Sequence, residues 1–344
     1  MRVRMFLVVG AVAATLAGCT LSAGGGADDG DRKVVLVTHD SFAMSEDVLA
    51  AFTKKSGITI DVRKVGDAGA LTNQLVLTKD SPIGDVAYGV DTTFASRALD
   101  EDVFTPYPVD VDGPADHQLD DTDRLTAVDL GDVCVNVDPA KLADLGVAAP
   151  TSYADLVNPA YKDLLVVEDP ATSSPGLAYL LGTIAKLGDG WQDHWKALKA
   201  NGLKVVSGWE EAYTQEFSGS SGKGSRPLVV SYASSPSAEL AEDGTPRTAA
   251  VLDTCFRQVE YAGVLKGAAH EDDAKKVMDF LLSEEFQSQV PEQMYVYPTR
   301  ADVALPEAWE KAAPLPSTPA ELPSAEIQRN RERWIDEWRG IVQG

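Results

Sequence analysis

The stretch Ala171-Thr172-Ser173-Ser174-Pro175-Gly176 gathers two adjacent serines, a threonine and a Pro-Gly pair. An apolar run, Leu164 to Val167, stands before it; after it Leu177, Leu180, Leu181, Ile184 and Leu187 recur at helical spacing. Strand, turn and helix is the order this implies. A serine before Pro-Gly fits an N-cap with proline at the first helical position, where the missing N–H removes no bond. Such a terminus also points backbone N–H groups, hydroxyls and the positive end of the helix dipole at one spot, which suits phosphate. An ordinary capped helix uses the same residues, so both readings stand at this point.

Other chemistry-bearing residues fall at the ends of apolar runs. Asp40, Asp67 and Asp91 each follow a strand-like segment, Trp209 and Tyr232 follow two more, and His39 precedes Asp40. Aspartate at such places is commonly a turn or cap residue. Trp209 serves equally well as core or as a ligand platform. Signs of catalysis are weak: the chain has neither a Gly-x-Ser-x-Gly elbow nor a His-x-x-x-His pair, and its four histidines offer few partners for zinc.

The elements that must position these residues read as two α/β units. In the first, strands at Lys33–Thr38, Ile58–Val65 and Val86–Val90 alternate with helices capped by Ser45, led by Gly66-Asp67-Ala68-Gly69 (apolar at Leu71, Leu75 and Leu77), and spanning Thr92–Leu99. That order predicts a mostly parallel sheet covered on both faces, with ligand at the carboxyl ends of its strands. From about Asp129 the pattern restarts through strands at Val137, Leu164–Val167, Leu203–Ser207 and Pro227–Tyr232. A strand-like run from Val251 then returns the chain toward the first unit. A final helix from Ser324 carries Ile327, Trp334, Ile335, Trp338, Ile341 and Val342 on one stripe, which predicts packing on a lobe.

Arg2 and Arg4, an apolar run to Ala14 and Leu16-Ala17-Gly18-Cys19 read as a signal peptide over 1–18, too short for a membrane span of about 20 residues. The Leu-Ala-Gly-Cys stretch resembles a bacterial lipobox. Cys19 is therefore expected to carry lipid and to hold the protein on the outer face of the cell membrane, with 19–31 as a flexible tether. A net charge of −23 argues against nucleic acid as a partner. With Cys19 set aside, Cys134 and Cys255 form the natural disulfide of an exported protein, joining an outgoing strand to a returning one.

Five stretches taken together, Thr38-His39-Asp40-Ser41-Phe42, Gly84 to Asp91, Thr172 to Gly176, Gly208-Trp209-Glu210-Glu211-Ala212-Tyr213 and Ser231 to Pro236, resemble the thiamine-binding proteins of bacterial ABC importers, as do Thr318 to Glu321 and Trp334 to Trp338. The resemblance implies a type II periplasmic-binding-protein fold, two α/β lobes joined by a two-strand hinge: 32–128 with 250–306 as lobe 1, 129–249 as lobe 2, and 307–344 as linker and packing helix. It implies thiamine or its mono- or diphosphate as ligand, an ABC permease and ATPase as partners, and a monomer without catalysis, cofactor or metal. Phosphate contacts would fall on Asp67, Ala68, Ser173 and Ser174; further ligand contacts on Trp209, Tyr232, Ala233, Ser234, Ser235 and Pro236, with Asp40, His39, Asp91 and Tyr295 as additional candidates. Three positions depart from the family pattern: His39, Ala238 and Tyr295 stand where aromatic side chains, a tryptophan in the last case, are usual. The alternative readings are a ferric-iron or oxyanion binder and, behind that, a surface thiamine-phosphate hydrolase.

Overall fold

The computed structural model describes residues 32–119, 121–220 and 224–344. The expected signal peptide, Cys19 and the tether lie outside these residues. The first part of the chain alternates as expected: β1 (Arg32–Thr38), α1 (Glu46–Ser56), β2 (Ile58–Lys64), α2 (Ala68–Leu77), β3 (Val86–Asp91) and α3 (Ala95–Asp100). The Ser45 hydroxyl caps α1 by accepting the Val48 N–H at 3.4 Å, and Glu46 and Asp47 face the positive end of its dipole. β1 lies in parallel between β2 and β3. Its alternation sends Val34 and Leu36 to a core with Phe42 and Ile58, and Val37 to the opposite core with Leu71 and Leu75. Leu77, predicted apolar and inward, is 80% exposed. It lies two residues past Leu75, about 200° around the helix, and so faces water. The predicted helix at Thr92 begins instead at Ala95, because Asp91 holds Thr93 and Phe94 in a turn.

β4 (Phe104–Thr105) precedes β5 (Thr126–Val137), which is buried along all 12 residues. Then follow α4 (Pro139–Asp144), β6 (Leu165–Glu168), α5 (Ser174–Leu187), α6 (Trp191–Ala200), β7 (Lys204–Val206), α7 (Trp209–Glu211), β8 (Leu228–Tyr232) and β9 (Ala249–Leu265). β6 is flanked by β7 and β8, both parallel to it. β5 pairs antiparallel with β8 on one side and β9 on the other, and β9 pairs antiparallel with β3. The sheet order is β2-β1-β3-β9-β5-β8-β6-β7. The first unit's strands β2, β1 and β3 are parallel as expected, and the whole sheet is mixed: a parallel trio sits at each end, and between them the chain leaves on β5 and returns on β9 in opposite directions.

The disulfide Cys134–Cys255 links β5 to β9 as expected, across 121 residues of sequence. The remaining elements are α8 (Glu271–Leu281), α9 (Glu284–Gln287), α10 (Val290–Gln293), β10 (Tyr297–Pro298), α11 (Trp309–Ala312) and α12 (Ser324–Val342). On α12, Ile327, Trp334, Ile335 and Trp338 are buried, and Trp338 meets Trp195 of α6 edge to face at 5.6 Å. Two turns earlier Arg331 lies over the Phe94 ring at 5.7 Å. The terminal helix therefore contacts both α6 and the start of α3.

Candidate ligand-binding site

The carboxyl end of β1, the starts of α2, α5 and α7, and the end of β8 converge on one cleft, with two adjoining cavities. The inner one is a narrow space lined by His39, Ser41, Asp67 and Glu260 from elements around the first trio, and by Pro175, Trp209 and Tyr232 from those around the second. Met294 and Val296 complete its wall. The outer cavity adds Asp40, Thr172, Glu210 and Glu211 and shares Asp67 and Trp209. No lysine or arginine is among the described residues lining either cavity.

Asp67 stands where three helix starts meet. It caps α2, its Oδ1 accepting the Ala68 N–H at 2.6 Å and the Ser174 N–H at 3.4 Å, while Oδ2 accepts the Trp209 N–H at 3.0 Å. The start of α5 thus receives an anion from within the protein. The cap of α5 is Ser173, one residue before the expected one: its Oγ takes the Gly176 N–H at 3.5 Å, and Ser174 and Pro175 form the first helical positions. Gly176 is required there, since a Cβ would run into the backbone of Glu168. Ser173 and Ser174 are both buried, and Ser174 spends its hydroxyl on the Asp91 carboxylate.

Asp91 lines neither cavity. Besides Ser174 it accepts the Thr93 and Phe94 N–H groups and the Thr93 hydroxyl. Burial pushes its pKa up to about 7, against the pull of those hydrogen bonds.

Trp209 is half-buried and stacked on Tyr213 with centroids 5.0 Å apart at 15°. Its ring is held from behind by a relay: the indole N–H donates to Ser231 Oγ at 2.8 Å, Ser231 shares a 2.7 Å bond with Ser235, and Ser235 Oγ accepts the Tyr232 N–H. The Ser-Ser-Pro turn therefore orients the aromatic wall and stands outside both cavities. Ser234 donates to the Tyr295 carbonyl at 2.6 Å, Ala233 packs on the disulfide, and Pro236 and Ala238 lie in the same tight turn. Tyr232 itself faces the inner cavity. Tyr295 is 37% exposed with φ +56° and lines neither cavity; its neighbours Met294 and Val296 do so instead. Asp40 is exposed at the outer cavity and accepts the Gly66 N–H at 2.8 Å.

His39 is buried against Tyr88, in space left by Gly89, whose φ of +100° and missing Cβ let the ring approach the bulged strand. Its Nε2 lies 3.3 Å from Oε2 of Glu260. The sequence reading missed Glu260, and behind it Asp129 and Tyr88. Tyr88 donates to Asp129 and sits 3.3 Å from Glu260. The signal available was a carboxylate inside each of two strongly apolar strand runs, Thr126-Ala127-Val128-Asp129-Leu130 and Val259-Glu260-Tyr261-Ala262. Burial and the Glu260 charge drive the Asp129 pKa far up, so it is held protonated. Glu260 is kept ionised against its own burial by His39 and by hydrogen bonds.

The cleft thus sets aromatic rings beside carboxylates, with no lysine or arginine among the described residues that line it. The thiamine-binding periplasmic protein of Brucella abortus is 30% identical over 318 residues, covering 89% of this chain and 91% of the relative. That of Escherichia coli is 29% identical, covering 90% and 93%. A solved structure of a periplasmic thiamin binding protein superposes with a TM-score of 0.79 at 28% identity, over 90% of this chain and 96% of the other. The family model for bacterial extracellular solute-binding proteins matches residues 81–319. With two parallel strand trios joined through β5 and β9, a cleft beside them and these likenesses over most of its length, the chain belongs to the bacterial extracellular solute-binding protein family.

Proposed function

We propose that the protein captures thiamine, free or as a phosphate ester, in the cleft and delivers it to the permease of an ABC importer. The observation that carries this reading is the inner cavity itself. Trp209, backed by Tyr213, and Tyr232 offer aromatic faces, while Glu260 and Asp67 offer carboxylates. Thiamine presents a flat aminopyrimidine and a cationic thiazolium, which such a pair of walls suits. The names of the relatives support the same ligand. No bond is broken in this reading, so the protein acts as a carrier and not as an enzyme.

In the same reading, 32–128 with 250–306 closes against 129–249 about β5 and β9, and 307–344 packs over the join. The monomer hangs from the outer face of the membrane by lipid on Cys19. The test is intrinsic fluorescence of the purified full chain, stripped of carried ligand by unfolding and refolding. Thiamine is expected to quench Trp209 emission saturably, and an unaltered spectrum at every concentration of thiamine and its phosphates would refute the ligand.

A further inference from the structure

His39, Tyr88, Asp129 and Glu260 form one buried polar cluster, and His39 and Glu260 also line the inner cavity. Glu260 Oε2 has His39 Nε2 and the Tyr88 hydroxyl each at 3.3 Å, and Oε1 accepts from Gln258 at 3.4 Å. Asp129 Oδ1 is buried without a partner. The buried Glu260, which is the ionised carboxylate of the pair, needs a counter-charge. Among the described cavity residues only a protonated His39 supplies one.

The titratable groups around His39 are acidic or phenolic: Glu260 from β9, Tyr88 from β3 with Asp129 of β5 behind it, Asp67 at the start of α2, its neighbour Asp40, and Tyr232 from β8. Burial alone would strip the proton, but the charge and hydrogen bond of Glu260, with the charges of Asp67 and Asp40, outweigh it and raise the His39 pKa above its ordinary 6.5. We infer that Glu260 is the counter-ion for the ligand's cationic ring, and that the proton on His39 holds this place until the ligand arrives. The inference rests on thiamine as the ligand. Binding then exchanges one positive charge for another: the thiazolium enters opposite Glu260, and His39 gives its proton to solvent. Affinity for thiamine rises with pH while His39 titrates and levels off once it is neutral, because no proton remains to be displaced.

The experiment is titration calorimetry of the full chain with thiamine, at a pH near 6.5 and well above it, in buffers of different ionisation enthalpy, so that protons released per ligand can be counted. Release approaching about one proton near the histidine range, vanishing at high pH, is the expected result. His39→Gln should abolish the release and flatten the pH dependence, and Glu260→Gln should weaken thiamine by about tenfold or more. In the ligand-free protein the His39 ring resonance, identified by its loss in H39Q, should titrate above the ordinary histidine value and move down in E260Q. Heat of binding without proton release, or a release unchanged in H39Q, overturns the inference and leaves thiamine as ligand. No heat with thiamine or either phosphate overturns the ligand, and this inference with it, even where the His39 resonance shows its coupling to Glu260.

Discussion

The Asp67 carboxylate accepts the Trp209 backbone N–H at 3.0 Å, tying the start of α2 to the start of α7 across the cleft. Its other oxygen reaches the Ser174 N–H, so one side chain joins three helix starts. Asp67→Ala is expected to lose this latch along with the α2 cap. The cap alone is worth about 1 kcal/mol. Ligand affinity should fall by about tenfold or more and the melting temperature by a few degrees, and Asp67→Asn should recover part of both. Calorimetry and thermal melts measure the two effects, and an Asp67→Ala variant binding as tightly as wild type would remove Asp67 from ligand capture.

Trp209 is the aromatic platform in this account. Trp209→Ala should cost about tenfold in thiamine affinity, the order of a desolvated cation–π contact, and should abolish the ligand-dependent fluorescence change. Trp209→Phe keeps a ring but loses the Ser231 bond, and an intermediate affinity is expected. Full affinity in the alanine variant would mean that the ring is packing for Tyr213 only.

Much of this was legible beforehand. Ser45 before Glu46-Asp47, Cys134 and Cys255 in separate strand runs, and Trp209 at a strand end each carried a local signal that the fold honours. The mixed sheet was not legible, because antiparallel pairing of β9 with β3 depends on the direction of return of a strand distant in sequence. The family resemblance, not a local signal, implied ligand contacts along the Ser234 to Pro236 turn; in the fold the Ser235 hydroxyl bonds Ser231 behind Trp209 and the Ser234 hydroxyl donates to the Tyr295 carbonyl. Glu260 was passed over because a carboxylate in an apolar strand acquires meaning only when its partner, His39, 221 residues away, is beside it.

The Cys134–Cys255 bond closes a long loop, and chain entropy assigns such a link about 4–5 kcal/mol. Replacing both cysteines with serine should lower the denaturant midpoint accordingly, with thiamine still bound by the folded fraction. An unchanged midpoint would show that β5 and β9 are held by their ladder alone.

Asp91 gives a pH dependence of known sign. Its pKa rises from 3.8 to about 7 on folding through burial, so between those values the folded state binds more protons than the unfolded state. Stability from this group is therefore present at low pH and lost as pH rises through that window. Asp91→Asn should remove this slope, and its stability relative to wild type should increase steadily as pH is raised toward 7. Parallel denaturation curves over the window measure it, and a wild-type curve that stays parallel to the variant's would contradict the burial argument.

The central claim is that this cleft holds a thiamine molecule. The most direct measurement is titration calorimetry of the refolded, ligand-free protein with thiamine, its monophosphate and its diphosphate in parallel. Saturable one-to-one binding of thiamine is the result this account predicts, and the order among the three would show what phosphate gains or loses beside Asp67. Absence of heat with all three would contradict the account, leaving the fold and family intact and the cargo wrongly named.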